Sequence, residues 1–227
     1  MSSAEFIDIH SHNHEPVKNI FKIVNIFPKE FDKIKSHKNI FYSVGIHPWY
    51  IDDETTGPEI NKITEIIKNE KFIGIGEIGL DRLSASPLEK QIEVYESQVM
   101  IAVNYRKPVI IHCVKAFPEI ITLKKKLKID VPAIIHGFNR NKQILHELIR
   151  NGFYISIGYK LLDQNSNAGK LLNEIPENRL FFETDEKEIN IEEIYKKAAL
   201  IKGITVSHLK EIIENNFKEV FNYKIDG

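Results

Sequence analysis

Phe6-Ile7-Asp8-Ile9-His10-Ser11-His12 is the stretch whose reading decides the fold. Its period-2 pattern, closing on His-x-His, is that of an extended strand, and it places His10 and His12 on the same side of the backbone. Two imidazoles on one face can hold one divalent ion. The pattern of an apolar run closing on a ligand-type residue then recurs down the chain. Phe72-Ile73-Gly74-Ile75-Gly76 leads into Glu77, Pro108-Val109-Ile110-Ile111 into His112, Val131-Pro132-Ala133-Ile134-Ile135 into His136, and Leu180-Phe181-Phe182-Glu183-Thr184 into Asp185. Short apolar runs of this kind, separated by helix-like stretches, are expected of parallel strands buried on both faces. Asp8 belongs to the same line of strand-end polar residues.

Strand patterns fall near 5–9, 19–26, 40–46, 72–77, 108–112, 132–136, 153–157 and 180–184, and eight is the number that closes a (β/α) barrel. Helical patterns lie at 30–36, 58–69, 88–105, 116–127, 142–151 and 161–174, with two more at 191–201 and 206–221. Pro87 suits the first turn of the longest helix, Gly203 marks the break between the last two, and Ser207 is the candidate cap of the final one. Only Asn13 to Lys18 separate His12 from the second strand, too few for a crossover helix, so either the first βα unit is compressed or that strand is misplaced. The expected architecture is α/β: a single, slightly distorted TIM (β/α)8 barrel over residues 1–227, with the metal site at the C-terminal ends of the strands.

The chain of 227 residues carries 31 Lys and Arg against 32 Asp and Glu, a formal net charge of −1, so no global positive field draws it onto nucleic acid, and any phosphate must be gripped locally. The lone cysteine, Cys113, excludes an internal disulfide framework and a cysteine-rich zinc site, and alternation next to His112 sends it into the core. Without a signal layout or a bilayer-length apolar run, the cytoplasm is the expected compartment, with no membrane contact. Nitrogen and carboxylate ligands without thiolate suit Zn, Mn, Fe or Ni, and with water also Mg. The run Gly74-Ile75-Gly76-Glu77-Ile78-Gly79 matches a dinucleotide-binding spacing, but it is not followed by an opening helix, and that reading is set aside.

Taken in order, Asp8-Ile9-His10-Ser11-His12, Val44-Gly45-Ile46-His47-Pro48, Ile75-Gly76-Glu77-Ile78-Gly79-Leu80-Asp81, Pro108-Val109-Ile110-Ile111-His112, Ile135-His136-Gly137-Phe138, Tyr154-Ile155-Ser156-Ile157-Gly158 and Phe182-Glu183-Thr184-Asp185 resemble the TatD family of metal-dependent deoxyribonucleases, within the wider amidohydrolase barrels. The resemblance spans most of the chain. It implies that His10, His12 and Asp185 hold one divalent ion, that His112 and His136 hold a second, and that Glu77 bridges them. Two ions bridged by a carboxylate lie about 4 Å apart, acidify water and stabilise both oxygens of a displacement. Asp185 would also orient or deprotonate the attacking water, so Asp185 and Glu77 are the catalytic candidates. The implied cofactors are two divalent ions, Mg, Mn or Zn.

His47 would face the same site and contact a phosphate or water. Trp49 and Tyr50 could stack a base but are read as packing under a loop, outside the site. His14 continues the alternation beyond His12 as a spare ligand, whereas His37, His146 and His208 read as surface or cap residues. The sequence departs from the family at two places. Where the family carries His-x-Arg-x-Ala, this chain has His112-Cys113-Val114-Lys115-Ala116, leaving Lys115 as the substrate-binding substitute, with Arg82 and Arg140 as further cations beyond strand ends. After Asp185 the family's proline- and tyrosine-containing loop is replaced by Glu186-Lys187-Glu188. The expected activity is exonucleolytic cleavage of DNA. The alternatives are hydrolysis of small phosphoesters, amides or lactones with the same ions, and a metal-retaining barrel without turnover. DNA or a small phosphoester is the expected partner, and no obligate protein partner is evident.

Overall fold

Residues 6–223 are described by a computed structural model. The strands are β1 (Phe6–Ser11), β2 (Ile20–Ile26), β3 (Ile40–Val44), β4 (Phe72–Asp81), β5 (Val109–Val114), β6 (Ala133–Ile135), β7 (Tyr154–Ile157) and β8 (Leu180–Phe182). They succeed one another in chain order in an eight-stranded sheet. The pairs β1–β2, β3–β4, β4–β5, β5–β6 and β7–β8 run parallel. Sequential parallel strands with helices between them are the TIM (β/α)8 fold that the repeated strand ends predict. The Gly74–Gly79 spacing lies wholly inside β4, with no helix opening after it.

The helices are α1 (Thr56–Ile66), α2 (Leu88–Asn104), α3 (Phe117–Lys126), α4 (Lys142–Arg150), α5 (Asn167–Leu171), α6 (Ile191–Lys202) and α7 (Val206–Phe221). Three expectations are corrected. The helix expected at 30–36 is a 3₁₀ turn, Pro28–Lys33, because Pro28 starts it and only a few residues precede β3. The helix expected at 161–174 is broken into a 3₁₀ turn, Tyr159–Leu162, and the short α5, since Ser166 caps a new start by accepting from Gly169 N. The cap of α7 is Thr205, whose Oγ1 accepts from His208 N at 3.1 Å, not Ser207. The second strand stands where expected, so the first βα unit is the compressed one: turns and bends alone join β1 to β2. Gly203 ends α6 in the left-handed conformation, φ 68°.

The chain gathers into two compact units. The first holds the described part of Met1–Val24, His37–Ile40 and the described chain from His136 onward; the second holds Asn25–Ser36 and Phe41–Ile135. In the first, α6 and α7 cover β1 and β8. Tyr195, fully buried, donates its hydroxyl to Ile7 O at 2.9 Å, and Phe21, Phe217 and Phe221 stack behind β1 and β8. In the second, α2 packs along β4, and two glutamines on its buried face decide how the strand ends are held. Gln98 accepts from Ile46 N at 2.7 Å and donates to Ile46 O at 3.2 Å. Gln91 does the same for Asp81, at 2.7 and 3.0 Å. A buried backbone amide without such a partner costs about 1–3 kcal/mol, so these side chains fix the ends of the segments that carry His47 and Asp81.

Candidate metal centre

In the first unit the carboxyl end of β1 is clasped to the residues after β8. Asp185 N donates to His10 O at 2.9 Å and His12 N to Asp185 O at 3.1 Å. These bonds hold Asp185 in a left-handed conformation, φ 58°, which Asp tolerates better than most residues. His10 Nε2 and His12 Nε2 each lie 3.6 Å from Asp185 Oδ1. His136 comes into the same set: its ring centroid is 4.5 Å from that of His10, and His10, His136 and Asp185 offer ligand atoms within 4.8 Å of one another. So His136, which the resemblance pairs with His112, is within reach of the His10–Asp185 set.

Three buried groups shape this cluster. The β1–β2 register shifts between Asp8 and Ser11, so two residues that strict alternation would send to opposite faces both reach Thr184. Thr184 Oγ1 is 2.7 Å from Asp8 Oδ2 and 3.1 Å from Ser11 Oγ, and Thr184 N donates to Asp8 Oδ1 at 3.0 Å. Asp8 is thus a brace for the segment carrying Asp185, and it lies in none of the donor groups. Burial pushes its carboxyl up to about 6, with the two Thr184 hydrogen bonds opposing the rise. Glu183, fully buried, accepts from Gly137 N at 2.6 Å and lies 3.3 Å from His136 Nδ1, which turns His136 Nε2 toward any ion. Lys22 donates to Asn13 O at 3.2 Å and Glu15 O at 2.8 Å, pinning the loop just beyond His12.

In the second unit His47, Glu77 and His112 offer a set within the same 4.8 Å span. Glu77 sits where the β4–β5 register shifts, between Ile75 and Ile78, an irregularity that re-aims a strand side chain. Its Oε1 is 2.9 Å from His112 Nδ1 and 3.3 Å from His47 Nε2. Gly79 makes this approach possible: a Cβ there would lie 1.9 Å from His112 O. His112 Nε2 lies 3.1 Å from Asp81 Oδ2, so Asp81 as a carboxylate holds the ring proton on Nε2 and leaves Nδ1 as the ligand nitrogen. Burial alone raises Asp81, but bonds from Leu83 N, His112 and Trp49 outweigh it and hold the carboxyl below its usual value. His47 Nδ1 accepts from Trp49 N at 3.1 Å, so its Nε2 carries hydrogen and donates toward Glu77.

The donor chemistry suits divalent ions. Ligands bonded to a common ion at about 2.1 Å stand roughly 3.0–3.4 Å apart, and the His112–Glu77 separation of 2.9 Å is of that order, with the 3.6 Å His–Asp185 separations close to it. A ligand lone pair on His112 Nδ1 facing a carboxylate oxygen also calls for a cation or proton between them. His14 stands outside these donor sets. Lys115 is exposed in a left-handed conformation, φ 55°, Arg140 is half-buried, and Arg82 is paired with Glu119.

Trp49 and Tyr50 correct the reading that they pack under a loop: they are 59% and 55% exposed. Asp81, Glu183, Gln91 and Gln98 were not singled out as site residues by sequence alone. The first two lie inside the Glu-Ile-Gly-Leu-Asp and Glu-Thr-Asp segments. The glutamines were findable as polar residues seven apart on the apolar side of a long helix.

The TatD-related DNase family matches residues 13–222. The chain is 27% identical over 209 residues to an uncharacterized metal-dependent hydrolase, YabD, of Bacillus subtilis, covering 85% of this chain and 82% of YabD. It is 27% identical over 152 residues to the human 3'-5' RNA nuclease TATDN2, covering 64% of this chain and 20% of TATDN2. Among solved structures it is similar to YJJV, a TatD homolog of Escherichia coli K12, with a TM-score of 0.84 at 18% identity over 97% of this chain and 99% of that one. Strand ends, donor sets and family match agree: the chain belongs to the TatD-related DNase family of metal-dependent hydrolases.

Proposed function

We propose that the protein hydrolyses phosphodiester bonds of DNA from a strand end, using two divalent ions. The observation that carries this reading is two imidazole–carboxylate donor groups: His10, His136 and Asp185, with His12 3.6 Å from Asp185 Oδ1, and the Glu77–His112 pair, 2.9 Å apart. As the family resemblance implies, His10, His12 and Asp185 would hold one ion, His112 and His136 would hold the other, and Glu77 would serve both. The ions supply Lewis acidity, lowering the pKa of water and stabilising charge on the phosphate oxygens. Asp185 takes the proton of the attacking water. Glu183 and Asp81 keep His136 and His112 in the tautomers that present a lone pair to the ions. His47, fixed as a donor by Trp49 N, hydrogen-bonds a non-bridging phosphate oxygen, and Lys115 neutralises the phosphate from the solvent side.

The 3'-5' RNA nuclease among its relatives supports a nucleic-acid phosphodiester as substrate, and the family description favours DNA. One observation favours a second reading, a hydrolase of small phosphoesters, amides or lactones: Val114 stands where the family's arginine would, and Arg82 is paired with Glu119. A metal-reconstituted panel of 5'- and 3'-labelled single-stranded DNA, a generic phosphodiester and a lactone separates the two. Release of terminal nucleotides supports the first; turnover of the small substrates alone overturns it. Asp185→Asn is expected to lower kcat by about 10²–10⁴-fold while losing less metal than His10→Ala with His12→Ala, because asparagine keeps a carbonyl ligand but cannot take the proton. A near-normal rate with unchanged metal would move the base elsewhere.

A further inference from the structure

We propose that Trp49 is the base-stacking platform of the substrate site and takes the nucleobase next to the scissile phosphate; this rests on the nucleic-acid reading above. Trp49 is the only tryptophan of the chain and is 59% exposed, although it follows the buried His47 and Pro48. Most of the indole is left outside the core. It is also held in place. Its Nε1 donates to Asp81 Oδ2 at 2.6 Å, and Asp81 is buried and bonded to His112. Its backbone N donates to His47 Nδ1 at 3.1 Å. The ring stands edge-on to His47, centroids 5.1 Å apart at 88°, and 6.1 Å from the ring of His112. The indole is therefore anchored by its polar edge to the groups that orient a metal ligand, while much of its surface meets solvent.

Exposed apolar surface continues around it. Tyr50 is 55% and Leu83 66% exposed, and Ser84 Oγ donates to Pro48 O at 3.0 Å, tying the loop after β4 to the one carrying Trp49. A nucleobase is the ligand such a surface fits: flat, with a π-face, and covalently linked to a phosphate that an ion beside His112 would bind. Stacking on an aromatic side chain is sequence-tolerant, because every base offers a face. It also supplies what the charge distribution lacks. With a net charge of −1 and Arg82 engaged by Glu119, no net positive field retains a strand by its phosphates.

The test compares kcat/KM of the metal-loaded enzyme on a short single-stranded oligonucleotide and on the same oligonucleotide with an abasic site at the terminal residue. The ratio of the two is expected to fall roughly tenfold in Trp49→Ala. It should be largely kept in Trp49→Phe, which retains a ring but not the bond to Asp81. An unchanged ratio in Trp49→Ala, or an equal fall in both variants, overturns the proposal, the latter because Trp49 would then act only through Asp81. Because the chain has one tryptophan, its fluorescence gives a second readout: thymidine and deoxyadenosine 5'-monophosphates should quench it and deoxyribose 5-phosphate should not. If no oligonucleotide is cleaved, the nuclease reading falls and quenching decides alone: base-dependent quenching sustains the platform, and none removes it.

Discussion

The two donor sets are built in different ways. The one around His10 and Asp185 is held mainly by backbone: the strand ends exchange hydrogen bonds with residue 185, and the carboxyls behind it, Asp8 and Glu183, are buried. The one around Glu77 and His112 is held by side chains reaching from elsewhere in its unit, with Gln91 fixing Asp81, Gln98 fixing Ile46, and an exposed indole capping Asp81. A backbone frame tolerates changes of side chain around it, whereas a frame of close-fitting side chains does not. The second set is bordered by the solvent-exposed rings of Trp49 and Tyr50.

The largest expected effect comes from adding one methyl to each region. Gly79→Ala would drive a Cβ into His112 O, and overpacking against backbone should cost about 3 kcal/mol or more in denaturant unfolding. Gly137→Ala in the other region meets only Glu183 Oε1, at 3.7 Å, and carries the strain of φ 58° alone, about 1–2 kcal/mol. Equal costs would remove the contrast.

Next comes pH. Asp8 is raised to about 6 by burial, above the 3.8 of an unfolded carboxyl. Below pH 3.8 both states bind the proton and folding pays nothing. As pH rises from there to about 6, the unfolded chain ionises first and the folded protein loses stability, which then levels off. The loss should be on the order of 2–3 kcal/mol, and Asp8→Asn should lack it. Parallel stability curves of the two proteins between pH 4 and 7, both metal-free, would show that Asp8 ionises without penalty.

Third, Glu183→Gln and Asp81→Asn should each weaken metal binding by about 10–100-fold, since each removes the carboxylate that orients a ligand histidine. Only Asp81→Asn should also shift tryptophan fluorescence, because it alone touches Trp49. The smallest effect concerns phosphate contacts. The slope of log affinity against log salt for single-stranded DNA should correspond to roughly one to three contacts, with Lys115→Ala and Arg140→Ala each lowering it by about 0.7. Arg82→Ala should change it least, since Glu119 already neutralises that guanidinium. Unaltered slopes in all variants would leave the phosphates to the ions and the backbone.

Most strands were legible because their buried runs end in a polar residue that a core does not explain, from His10 to Asp185, whereas β2 and β7 end without one and rest on apolar run length alone. Helices fared worse where caps intervened: Ser166 restarts a helix that periodicity draws as continuous from 161, and Thr205 wins the last cap over Ser207 because it lies where the backbone is still extended. The donor residues were legible for the same reason as the strands. Their supports were not, because Gln91, Gln98 and Asp81 act through contacts far along the chain or across a turn, which no spacing encodes. Trp49 was misread because sequence cannot tell an indole whose polar edge is anchored and whose surface is open from one packed beneath a loop.

The central proposal is one ion on each of the two donor sets. Elemental analysis after loading with excess Mn or Zn, for the wild type and for His10→Ala with His12→Ala, tests it most directly. About two equivalents are expected for the wild type and about one for the double variant, in which the Glu77–His112 set remains. A wild type that never exceeds one equivalent would contradict it.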